Sequence, residues 1–72
     1  MDLLELEERQ TISREEAAAR LRAIADELAS GNDFRIERDG LRFVAKVPAT
    51  VRLKVELEVE DDRTELEIEL TW

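Results

Sequence analysis

Apolar residues recur along this chain with two different periods. In residues 12–31, ISREEAAARLRAIADELASG, Ala17, Leu21, Ile24, Ala25 and Leu28 fall at three- and four-residue steps. That spacing draws one apolar stripe on a helix and leaves Arg14, Arg22, Asp26 and Glu27 elsewhere on the cylinder. Ser13 stands where an N-cap belongs, and Glu16 three residues later completes the S-x-x-E capping box, with Ile12 placed to staple the first turn. Glu15 and Glu16 complement the positive end of the helix dipole, and Gly31 ends the helix as a C′ residue that can adopt a positive φ. The pattern predicts a helix over about residues 14–30.

Beyond residue 31 the period becomes two. FRIERDGLRF carries Asp39-Gly40, the dipeptide that a two-residue type I′ turn prefers because both central residues need positive φ. With those two residues as the loop, Arg38 faces Leu41, Glu37 faces Arg42, Ile36 faces Phe43 and Phe34 faces Ala45. Phe34, Ile36, Leu41, Phe43, Ala45 and Val47 then share one face, while Glu37 and Arg42 pair opposite charges on the other. Pro48 lacks a ladder donor and marks a break. VRLKVELEVE follows, with Val51, Leu53, Val55, Leu57 and Val59 on one side and Arg52, Lys54, Glu56, Glu58 and Glu60 on the other. Residues 61–64 supply a turn whose loop is of two or four residues. The final strand adds Leu66, Ile68, Leu70 and Trp72 to the apolar side. At the N-terminus LLELEERQT reads as a weaker strand through Leu4 and Leu6. The order is therefore β-α-β-β-β-β, an α+β domain over 1–72, with the helix packed on the apolar face of a mainly antiparallel sheet and the other face in water.

Size and composition narrow the functions. At 72 residues the chain lies near the lower limit for a self-sufficient core, so nearly every large apolar side chain must be covered, or the protein must associate. It contains neither cysteine nor histidine, which removes disulfides, thiolate metal sites, the common zinc centres and histidine acid–base catalysis. No cofactor is expected. The net charge of −8 opposes nucleic acid and anionic lipid, and the eleven basic residues are scattered rather than gathered in a stripe. Neither nucleic acid nor membrane is therefore expected as a partner. No apolar run approaches a membrane span, and MDLLELEERQ carries acid where a secretion signal carries base, so a cytoplasmic location is expected.

Four stretches together carry a family likeness: the acidic first segment leading into residues 12–18 (ISREEAA), the helix through 21–28, VPATVRLKVELEVE around Pro48, and the closing ELEIELTW. In their order and spacing the chain resembles the amphi-Trp domain family of small bacterial and archaeal proteins. The resemblance covers essentially the whole sequence. It implies a compact α+β domain with no established biochemical activity and no active-site residues to carry across; Trp72 matches the signature position.

Two features are candidates for function. Trp72 shares by parity the face of Leu66, Ile68 and Leu70, and reads either as a residue at the rim of the core or as a contact residue for a partner. Glu56, Glu58 and Glu60, with Glu65, Glu67 and Glu69, form an acidic sheet face that serves solubility and protection against strand association, or docks a basic partner. Paired carboxylates on a solvated face, without a nucleophile–base pair or phosphate loop behind them, do not make an active site. The reading is a non-catalytic protein-interaction or accessory module that binds another protein or a second copy of itself. Trp72, Glu56, Glu58, Glu67 and Glu69 are its candidate contact residues, and no catalytic or metal residues are assigned. The alternative is a cation-responsive domain acting through Glu56, Glu58, Glu60, Glu65, Glu67 and Glu69.

Overall fold

A computed structural model describes residues 5–31 and 33–72. The helix α1 (Arg14–Ser30) is followed by β1 (Asp33–Arg38), β2 (Leu41–Lys46), β3 (Arg52–Val59) and β4 (Thr64–Thr71). The architecture is α+β, with every strand pair antiparallel.

The helix spans the residues its periodicity predicts, and its start is built as the capping motif requires. The Glu16 N–H donates to Ser13 Oγ at 3.1 Å, and the Ala17 N–H to the Ser13 carbonyl at 2.9 Å. Its end falls at Gly31, as expected. Gly31 is extended (φ −159°) rather than left-handed, and Ser30 Oγ donates at 3.2 Å to the Glu27 carbonyl, satisfying one of the orphan acceptors that a positive-φ glycine would have closed.

The first hairpin has the predicted register, from Phe34 opposite Ala45 to Arg38 opposite Leu41. Asp39 (φ 53°) and Gly40 (φ 76°) both occupy the left-handed region, as a type I′ turn demands, and Arg42 Nε lies 3.5 Å from Glu37 Oε1. Residues flanking such a turn exchange ladder bonds, so two-residue alternation turns the Arg35 N–H outward to the free edge of β1. Glu27 Oε1 accepts it at 2.6 Å. The helix thus docks on β1 partly by capping a strand edge.

Two expectations are corrected. The described part of the N-terminal stretch, residues 5–13, forms no strand; Leu3 and Leu4 lie outside the described residues. Only Leu6 among residues 5–11 is apolar, too little to hold a strand against a sheet. Leu6 instead lies half-buried beside Phe34, Ile36 and Phe43, and Arg20 Nη2 holds Glu8 Oε1 at 3.1 Å. The second correction concerns the sheet. It is not one but two, β1–β2 and β3–β4, and the helix reaches only β1. Pro48, in the connector 47–51, lacks a donor and holds its predecessor extended. Continuing the sheet across that connector would also set Lys46 against Arg52, like charges directly opposed.

The resulting molecule is open, not the compact domain that the resemblance implies. None of the described residues is fully buried. A compact monomer of this mass exposes roughly 4,600 Å², whereas the chain exposes 6903 Å². The radius of gyration is 14.2 Å, against about 11 Å for a compact domain of this length. The closest approach to a core lies between Ile24 and Leu28 of the helix and Phe34, Ile36 and Phe43 of the first hairpin, all half-buried.

Candidate functional site

The β3–β4 hairpin presents two faces of opposite chemistry. Its register sets Leu53 against Leu70, Val55 against Ile68, Leu57 against Leu66 and Val59 against Thr64 on one face. The other carries Arg52 against Thr71, Lys54 against Glu69, Glu56 against Glu67 and Glu58 against Glu65. The ladder ends at Val59 and Thr64, so the loop has four residues, drawn together by the Glu60 N–H donating to the Arg63 carbonyl at 2.8 Å. Alternation from that bond makes the apolar pairs the non-hydrogen-bonded ones, whose side chains stand closest together. The face they make is continuous and carries no charge.

Among the described residues no element covers it. Neither the helix nor β1–β2 approaches the hairpin, and exposure on this face runs from 48% at Ile68 to 71% at Val59; Leu70 alone is half-buried. Trp72 follows β4 at 56% exposure, so the structure leaves the indole outside any core.

Glu56, Glu58, Glu67 and Glu69 are brought together as the alternation predicts, while Glu60 lies in the loop. Lys54 is the cation among them, its Nζ 3.1 Å from Glu56 Oε2 and 3.8 Å from Glu67 Oε1. Bonding to Glu56 and the fields of Glu56, Glu67 and Glu69 push the Lys54 ammonium above its usual pKa. Glu58 is pushed up as well, first by a hydrogen bond with Glu60, then by partial desolvation and the charges of Glu65 and Glu67. Arg63 pairs with Glu65. Clustering covers this face better than its apolar counterpart: Glu65 and Glu67 are half-buried while Leu66 and Ile68 are exposed. Among the described residues no group of three or more acidic side chains is arranged to hold a metal ion.

Sequence reasoning placed Leu53, Val55, Leu57, Val59, Leu66 and Ile68 in a core and so missed them as a surface. The signal was available in the count of apolar faces: three amphipathic units, the helix and two hairpins, cannot all be satisfied when one helix covers one face.

The Amphi-Trp domain model matches residues 1–72. No curated protein and no solved structure gives a match. The chain belongs to the Amphi-Trp domain family.

Proposed function

We propose that this Amphi-Trp domain is a non-catalytic interaction module whose contact surface is the apolar face of the β3–β4 hairpin, continued at one end by Trp72. The observation carrying this reading is a charge-free sheet face, 48–71% exposed at every large apolar position but Leu70, with none of the described elements against it. Contiguous exposed apolar area of this kind marks interaction sites, because only its removal from water returns the free energy that alternation invested in it. The acidic face does a different task. It keeps the hairpin soluble and, by like-charge repulsion, directs association to the opposite side. Trp72 supplies the large aromatic that interfaces favour, with an indole N–H that would take an acceptor on a partner.

Site-specific photo-crosslinking tests the assignment in source cells. A photoreactive residue at position 57, on the apolar face, is expected to give a discrete protein adduct, and one at position 58, on the acidic face, none. Equal labelling from both positions, or adducts from 58 alone, overturns the proposal.

A further inference from the structure

We infer that the occupant of this face is a second copy of the same chain, the two β3–β4 hairpins packing apolar face to apolar face about a twofold axis. The inference rests on reading that face as a contact surface and adds the identity of the partner.

The first argument is area. The chain exposes 6903 Å², about 2,300 Å² more than a compact monomer of its mass. A stable dimer of standard size needs only about 800 Å² from each partner. Seven large apolar side chains on or beside this face, Leu53, Val55, Leu57, Val59, Leu66, Ile68 and Trp72, each 48–71% exposed, contribute to that excess.

A second argument asks what surface could meet the face. Within the chain the helix face around Ala23, Ile24 and Glu27 is already turned toward Phe34 and Ile36 of β1. The outer face of β1–β2 carries Arg35, Glu37, Arg42 and Lys46, whose charges would be stranded under Leu57 and Ile68. The flat, uncharged surface that remains is another copy of the same one. Two twisted antiparallel sheets pack readily at about 10 Å separation, with side chains interdigitating, and a twofold axis makes such a patch complementary to itself.

Charge then selects the orientation. Setting the hairpins side by side in the same direction would bring the Asp61-Asp62 loops together. Reversing one places each acidic loop near the other copy's Arg52 end and lays Trp72 over Val59. In either orientation the two acidic faces point away from each other into water.

Sedimentation equilibrium of the full chain from micromolar to millimolar concentration decides the matter, read beside Trp72 fluorescence and its quenching by iodide. The expected result is a mass rising to twice 8.3 kDa and no further, with the indole blue-shifted and protected as the dimer forms. Leu57→Glu is expected to stay at the monomer mass, and Glu58→Gln, one residue away on the opposite face, to dimerise at least as tightly as the parent does. A mass that climbs past the dimer overturns the closed pair. A monomer at every concentration with an accessible indole overturns the second copy and leaves the face to a different partner. A monomer with a shielded indole overturns both readings, since the chain would then cover its own face. The parent protein alone gives the deciding mass even where Leu57→Glu fails to fold.

Discussion

Lys54 and Glu58 show how one acidic face balances itself. The ammonium of Lys54 offsets Glu56 and Glu67, but Glu58 faces Glu65 across the ladder with no cation in reach of its own, and its carboxyl is pushed up by Glu60, Glu65 and Glu67. A raised carboxylate pKa means the folded state binds its proton more tightly than the unfolded one. Glu58 therefore opposes folding at neutral pH, and that opposition is relieved as pH falls through its raised pKa and is gone below the ordinary 4.5. Lys54 acts in the other sense, contributing stability that is present below the ordinary 10.5 and lost as pH rises through its raised value. Glu58→Gln should accordingly raise the melting temperature slightly at pH 7, and the gain should vanish near pH 4 and shrink in about 1 M salt, where charges are screened within roughly 3 Å. Thermal melts followed by circular dichroism at both pH values check it. At this scale the sequence was legible wherever a residue type has a strong local preference. Asp39-Gly40 demanded left-handed backbone and has it, and Ser13 demanded the Glu16 N–H and holds it. Gly31 ends the helix as its type suggests, without using the positive φ that glycine permits.

Among elements, pairings between neighbours were readable and relations between units were not. The helix bounds, the first register and the alternation of β3 and β4 follow from period and turn chemistry, which are local. The break between β2 and β3 falls at the connector that holds Pro48, which the sequence marks as an interruption without showing that the sheet divides there. The contact between helix and sheet was equally hidden, because it runs through Glu27, a residue the stripe assigns to the solvent side. Glu27 Oε1 caps the outward Arg35 N–H at 2.6 Å, so Glu27→Ala should destabilise the helix-hairpin unit by about 1 kcal/mol, the usual net value of such a bond. Glu27→Gln, which keeps an acceptor, should recover most of the loss. Amide exchange at Arg35, accelerated in the alanine variant alone, distinguishes loss of this bond from general loosening. The candidate site divides in the same way: the acidic face was read correctly as a face, while the apolar one was assigned to a core that a single helix cannot supply.

Taken whole, the molecule carries a net charge of −8 and an uncovered apolar sheet, and the two have opposite effects on association. Bringing two such chains together builds up like charge, so salt should favour the dimer. The dissociation constant is expected to fall several-fold between about 0.01 M and 0.15 M salt, as the screening length drops from roughly 30 Å to 8 Å. An interface built on ion pairs would weaken over the same range, and equilibrium sedimentation at the two salt concentrations separates the cases.

Each strand in this chain pairs with its immediate neighbour in sequence, across a loop of two or four residues. Loops so short close quickly, and hairpins of this kind form within about 1–10 μs. An isolated two-stranded ribbon is nevertheless only marginally stable. The β3–β4 hairpin should therefore zip fast and reopen fast until its bare side is met, and its lifetime will be set by encounter rather than by the chain's own search for order. Dilution, which leaves the folding of a self-contained domain untouched, would here shorten the life of the fold itself.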